Sequence, residues 1–228
     1  MPNEDFQRRS YAVSLPCEYL LKLPSAIDER TPLVVSLHGY GMNPADMLRL
    51  TSLAVGAHPI VAVLRAPYQH YASQLGANAH VAYNWGVSKH WEDAVQLHHE
   101  MVRTALAKLS AEFGIGAGRT ILLGFSQPVG LNYRLIGTSP GLVRGVIGIC
   151  GGVPRDWEED KYGKIGAAIL HISRDQDEFY PAERALEFPG RLRRYASDVE
   201  FHMLPGEHRF PSKAAGIIQA WMARLLPT

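Results

Sequence analysis

Cysteine is scarce: 228 residues carry two, Cys17 and Cys150, and a pair so far apart in sequence builds no disulfide framework. Cys150 closes the apolar run Val146-Ile-Gly-Ile-Cys150, the setting of a buried free thiol. Long hydrophobic runs are missing too, since no stretch approaches the ~20 apolar residues that cross a bilayer. At the N-terminus, acidic residues precede Arg8 and Arg9 and no apolar segment follows them, unlike a secretory signal. Nor is there an excess of charge of one sign. A formal net charge of +1 gives no electrostatic case for nucleic acid or an anionic membrane surface as partner. Internal repeats, linkers and low-complexity tracts are lacking as well. What remains is ordinary globular usage, 46% hydrophobic and 20% charged. The expectation is one cytoplasmic domain over residues 1–228. Histidine is plentiful at ten, without metal-ligand spacing; His98-His99 falls on a helical stretch and reads as a solvated pair.

The pattern of elements alternates. Tyr11–Leu15 and Glu18–Lys22 flank Pro16-Cys17 and suggest an antiparallel pair at a sheet edge. Pro32–Leu37 and Ile60–Leu64 are continuous apolar runs, the mark of strands buried on both faces. Between them a helix is expected over 44–55, with Asn43 as N-cap and Pro44 at its first position. Residues 68–90 read as a long loop rich in aromatics, and loops of that length usually serve a function. A helix over 92–113 follows, with Val95, Val102, Leu106 and Leu109 on one stripe. Further strands are expected at 120–125, 145–150, 167–172 and 199–204, with helices from Ser126 to Gly137, over 184–195 (broken or kinked at Pro189) and over 213–226. Such alternation implies right-handed crossovers and a mostly parallel sheet covered by helices on both faces.

Chemistry concentrates at three strand ends. Thr120-Ile-Leu-Leu-Gly-Phe-Ser126 is an apolar strand that stops at a glycine and presents a serine before a helix. A sharp strand-to-helix turn of this kind holds a hydroxyl proud of the sheet, within reach of a base. The plainer role for such a serine is a helix cap. His208, in Leu204-Pro-Gly-Glu-His208, follows the last strand, where a loop can bring an imidazole over the serine as general base. Its plainer role is an exposed loop histidine. Asp177 stands four residues before Pro181 on the turn entering a helix, and is preferred as the carboxylate that orients the imidazole. Asp175 is the alternative and Glu178 a distant third. Backbone N–H groups would receive the developing oxyanion: that of Gln127, next after the serine, and that of Tyr40, in the glycine-flanked turn His38-Gly-Tyr-Gly41.

Four motifs in order, Leu37-His-Gly-Tyr-Gly-Met42, Gly124-Phe-Ser-Gln127, Asp177-x-x-x-Pro181 and Gly206-x-His208, resemble those of the phospholipase/carboxylesterase family of α/β-hydrolases, which includes acyl-protein thioesterases. The likeness spans nearly the whole chain. It implies a seven- or eight-stranded α/β-hydrolase fold with minimal lid that cleaves carboxylic esters or thioesters without a cofactor. It also implies Ser126, Asp177 and His208 as catalytic triad, with Tyr40 and Gln127 as oxyanion donors. Two departures stand out. The family's Gly-Phe-Ser-Gln-Gly-Gly reads here with Pro128 and Val129 at its end, and a family-like His-Gly is replaced by His171-Ile172. Proline near a helix start sacrifices an N–H that would be unpaired anyway, and it leaves the Gln127 N–H in place. Altered packing of the turn is expected, not its loss.

Trp85, Tyr83 and Phe179, with Tyr68, are candidates for the wall of an acyl or alcohol pocket; each could equally be core. Arg65, His70 and Arg174 are weighed as partners for a substrate carboxylate, against the default of solvated charge. With no run of surface leucines and no separate helical lid, short to medium esters of small molecules are favoured over long-chain lipids. Two rival readings stay open: a peptidase or C–C bond hydrolase on the same fold, and a non-catalytic binding protein whose turn Pro128 has spoiled.

Overall fold

Apolar runs that lack a polar face form strands that need cover on both sides, and the sheet of this protein is made of them. In a computed structural model, residue 7, residues 9–72 and residues 80–226 are described. The elements in chain order are β1 (Tyr19–Lys22), β2 (Leu33–Leu37), α1 (Pro44–Val55), β3 (Ile60–Leu64), β4 (Tyr68–Tyr71), β5 (Val81–Asn84), α2 (Trp91–Phe113), β6 (Thr120–Phe125), α3 (Gln127–Thr138), β7 (Gly145–Ile149), β8 (Ala168–Arg174), α4 (Ala182–Ala185), α5 (Phe188–Leu192), β9 (Val199–Leu204) and α6 (Ala214–Leu225). Seven strands pair in the order β1-β3-β2-β6-β7-β8-β9. β1 is antiparallel to β3, and every other neighbouring pair is parallel.

Side chains alternate across the strands and so divide into two cores. Leu33, Val35, Leu122, Val146 and Ile169 face α2, α3 and α5, which contribute Val102, Leu106, Leu135 and Phe188. Val34, Val61, Leu123, Ile147 and Leu170 face α1 and α6, with Met47, Ile218 and Trp221. Each fully buried large side chain is worth about 1.5–3 kcal/mol relative to exposure. The two-sided burial expected of a helix-covered parallel sheet is therefore what holds it together.

Strand order also places the site. β3 lies on one side of β2 and β6 on the other, so the chain segments leaving β2 and β6 diverge and open a crevice at their carboxyl ends. The segments there are His38–Gly41 and Ser126. The start of α1 follows the expected chemistry: Asn43 Oδ1 accepts the Asp46 N–H at 2.9 Å, with Pro44 opening the helix.

Four expectations need correction. Tyr11–Leu15 is not a strand; Tyr11 and Val13 are exposed, and β1 takes its partner from β3 instead. Alternating apolar residues there had no face to bury. The 68–90 segment is not merely loop, because β4 and β5 form an antiparallel hairpin; its tip, 73–79, lies outside the described residues. The 184–195 helix is two short helices, and the break precedes Pro189, which occupies the first turn of α5 where its missing N–H costs nothing. His98 is fully buried rather than solvated. It packs edge-on against Trp85 with ring centroids 5.4 Å apart, and burial holds its pKa well below the ordinary value. Cys17 is exposed and Cys150 buried, and both are free thiols.

Candidate active site

Ser126 stands between β6 and α3 with φ 63° and ψ −113°, a backbone region that costs a non-glycine residue about 1–3 kcal/mol. The surroundings hold it there. Its N–H donates to Ile149 O at 2.8 Å, and Val129 N–H donates back to Ser126 O at 3.2 Å. A methyl group on Gly124 would sit 2.7 Å from Asn132 Nδ2, and one on Gly151 would sit 2.3 Å from Val129 Cβ and 2.6 Å from Ser126 O. Glycine at 124 lets the strand approach α3. Glycine at 151 makes the space that the Val129 side chain fills. Pro128 lies buried in the first turn of α3, where no intrahelical N–H is required. The departures at 128 and 129 thus leave the turn intact.

His208 Nε2 lies 2.8 Å from Ser126 Oγ, and His208 Nδ1 lies 2.7 Å from Asp177 Oδ2. A carboxylate can only accept, so Nδ1 carries the proton and Nε2 is free to accept from the hydroxyl. The Asp177 side chain is 1% exposed, and an isolated charge there would be expensive. Its other oxygen accepts the N–H groups of Phe179 and Tyr180, each at 2.9 Å, so the carboxylate is fully engaged. Asp175 has a different task. Its Oδ1 accepts the Gly206 N–H at 2.7 Å, and with the Asp175 N–H to Leu204 O and Gln176 N–H to Gly206 O bonds it ties the loop after β8 to the loop carrying His208. Glu178 accepts the His208 N–H at 3.4 Å. The imidazole is enclosed by Phe125, Phe179 and Tyr180, with ring centroids 5.5, 4.8 and 6.0 Å away.

Tyr40 and Gln127 both border the cleft over Ser126. Among the described residues neither backbone N–H has a hydrogen-bond partner. The loop after β2 is pressed onto the turn, as a methyl on Gly39 would lie 3.3 Å from Ser126 Cβ. Buried His38 sets that loop: its Nδ1 is 2.9 Å from Gly39 O and its Nε2 accepts the Ala66 N–H at 3.2 Å. Those neighbours require the neutral tautomer with the proton on Nδ1, and burial lowers the His38 pKa in the same direction. Donors held in place before any charge develops are the arrangement that stabilises a tetrahedral oxyanion.

The cleft has a volume of about 750 Å³. Phe179, 64% exposed, stands in its wall. Trp85 does not: it is fully buried, donates its indole N–H to His38 O at 2.8 Å and its backbone N–H to Gln127 Oε1 at 2.9 Å. Gln127 Nε2 in turn donates to Gly86 O at 2.7 Å. Trp85 therefore braces the two segments that bear the candidate oxyanion donors. Tyr83 is also outside the wall, paired through its backbone with Gly41 and Met42 and covered by Arg65. The walls missed from sequence are Trp91, Leu131 and Val153, and three arginines, Arg134, Arg155 and Arg184. Residues brought together from separate helices and loops carry no short-range sequence signal, so only the Gln127 side chain, adjacent to the turn, could have been singled out. Among the described residues no cluster of His, Cys, Asp and Glu suits a metal ion, and no helix is long and apolar enough to cross a membrane.

A serine at a strand-to-helix turn on a mostly parallel, helix-covered sheet defines an α/β-hydrolase. The chain belongs to the phospholipase/carboxylesterase family, whose model matches residues 21–226, and so to the carboxylic ester hydrolases. Among solved structures it is similar to a carboxylesterase of Bacillus cereus (15% identity, 92% of this chain and 95% of that one, TM-score 0.72). It is also similar to esterase PE8 (22% identity, 94% and 100%, TM-score 0.72) and to a phospholipase/carboxylesterase of Dyadobacter fermentans (18% identity, 93% and 99%, TM-score 0.69). Among curated proteins none matches in sequence.

Proposed function

We propose that the protein hydrolyses carboxylic esters of short to medium acyl chains, and the corresponding thioesters, through an acyl-enzyme on Ser126. The observation that carries this reading is the chain of hydrogen bonds from Ser126 Oγ through the His208 ring to Asp177. In the proposed reaction His208 Nε2 takes the hydroxyl proton as Oγ attacks the ester carbonyl. The carbonyl electrons move onto oxygen, which the Gln127 and Tyr40 N–H groups receive. The imidazolium then protonates the departing alkoxide, and Asp177 holds the ring in orientation and steadies its charge. Water enters, gives its proton to the same nitrogen, and releases the acid. No cofactor takes part in this sequence. Chain length follows from the cleft, which has room for an acyl group of several carbons.

The test is hydrolysis of 4-nitrophenyl butyrate and of its thioester analogue by the wild type, Ser126→Ala and His208→Ala. The reading expects turnover by the wild type and its abolition in both variants. Equal rates in all three proteins would discard it.

A further inference from the structure

We infer that the preferred ester carries an anionic group, a carboxylate or a phosphate, at the end of its acyl chain, received by Arg155 and Arg184. This rests on the proposed hydrolase reading and adds the substrate's charge to it. The cleft around Ser126 is bordered by three arginines and by no aspartate or glutamate. Their states differ. Arg134 is neutralised, its guanidinium bound to Asp156 and to the Tyr162 hydroxyl. Burial alone would raise the Asp156 carboxyl, but hydrogen bonds from Arg134 and Lys161 win and pull it down to about 2. Asp156 is therefore spent on Arg134 and Lys161 and has nothing left for its neighbour Arg155. Glu158, the next acid along, is taken by Arg191 through a two-point contact. Arg155 and Arg184 have no carboxylate partner among the described residues. Arg184 stands in the wall with Tyr180, and its charge acts against the rise that burial imposes on that phenol.

Arg65 pairs with Glu18, Arg191 with Glu158, and Arg224 with Asp198 and Glu200. Two unpaired guanidiniums on the rim of a cleft make a forked donor set that fits carboxylate and phosphate alike. Arg134 lies roughly 12 Å along α3 from Ser126 at 1.5 Å per residue, and Arg155 follows the loop that borders the same helix. That spacing calls for a chain of several methylenes between the scissile carbonyl and the anion. The hydroxyl-bearing turn handles the ester; the rim selects the tail.

The experiment compares release of 4-nitrophenol from three esters of similar length. These are the mono-4-nitrophenyl ester of suberic acid, its neutral methyl diester, and 4-nitrophenyl 6-(phosphonooxy)hexanoate. The expected result is a kcat/KM for at least one anionic ester about 10-fold or more above the neutral one, the scale of a hydrogen bond to a charged group. The preference should reside in KM and shrink as salt is raised. In Arg155→Gln/Arg184→Gln the anionic-to-neutral ratio should collapse towards one, and Arg184→Glu should invert it. Arg184→Lys should restore part of it. Whichever anionic ester leads identifies the source as carboxylate or phosphate. Hydrolysis of the neutral ester with no anionic preference, or a preference unmoved in the double variant, overturns the inference and leaves the hydrolase reading standing. Failure to hydrolyse any of the three overturns both.

Discussion

The floor of the cleft and its rim are built on opposite principles. The side chains of Ser126, His208 and Asp177 are committed to one another. Asp177 accepts three hydrogen bonds, and the His208 ring is bonded through both nitrogens. At the rim Arg155 and Arg184 are uncommitted, although acids stand near them in sequence. A centre that must hold one geometry benefits from having no alternative partners. A rim that must recognise an incoming group benefits from having none at all until the group arrives. On the proposed reading the contrast separates two kinds of residue within one cleft: those whose loss changes the rate of chemistry, and those whose loss changes which ester is taken.

The sharpest way to break this contrast is at the centre. Ser126→Ala is expected to lower kcat on 4-nitrophenyl butyrate on the order of 10⁶-fold, as loss of a nucleophile acting with its base does. Steady-state rates with active-site-titrated protein check it. Next in size is the comparison of the two aspartates. Asp177→Asn should cost on the order of 10⁴-fold in kcat by leaving the imidazole in the wrong tautomer. Asp175→Asn, which disturbs the Gly206 contact only, should cost less than about 10-fold, with the lower thermal midpoint expected from weakening one hydrogen bond. If the two variants behaved alike, the carboxylate assignment would be wrong.

A smaller effect tests the brace under the proposed oxyanion site. Gln127→Ala keeps the backbone N–H but strips the Trp85 N–H and the Gly86 carbonyl of their partner. It should destabilise the fold by about 1–3 kcal/mol, the cost of buried polar groups left unpaired, with a fall in kcat and little change in KM. Denaturant melts and kinetics on one preparation read both.

A further test, on stability and not on turnover, is acid. His171 is buried on β8 with its Nδ1 2.7 Å from the Tyr133 hydroxyl, and burial depresses its pKa from 6.5 to about 3. Burial, aided by the charge of Arg103, takes His99 to about 4. A histidine depressed in the folded state is neutral there while the unfolded chain takes up a proton. The stability it contributes is complete above about pH 6.5 and lost as pH falls towards 3, at about 1.4 kcal/mol per pH unit per group. Thermal midpoints should therefore decline from pH 6.5 to pH 4, and His171→Gln should flatten that decline. An unchanged slope would place the acid sensitivity elsewhere.

That Ser126, Asp177 and His208 come together was legible in the sequence because each follows a strand, with a glycine or proline nearby that marks the turn. β2, β3, β6 and β9 were bounded to within a residue or so for the same reason. The rim and the hairpin were not. Tyr68-Gln-His-Tyr71 and Val81-Ala-Tyr-Asn84 are short, and their half-polar pattern resembles a loop until they pair with each other. Trp85 looked like a pocket aromatic by composition and is a structural brace, because the segment after β5 packs its ring against His98 of α2 and bonds to His38 and Gln127. Arg155 lies on the segment between β7 and β8 and Arg184 on α4, and the two reach one cleft only in the fold. Their lack of partners emerges only when Asp156 and Glu158 are seen occupied.

The central claim is that Ser126 is the atom acylated. The most direct measurement is peptide mapping of the folded protein after reaction with a fluorophosphonate, with residual ester hydrolysis followed in the same sample. One adduct per chain on the peptide containing Ser126, with activity falling in step, is the result this account predicts. An adduct on another residue, or continued hydrolysis by protein fully modified at Ser126, would contradict it.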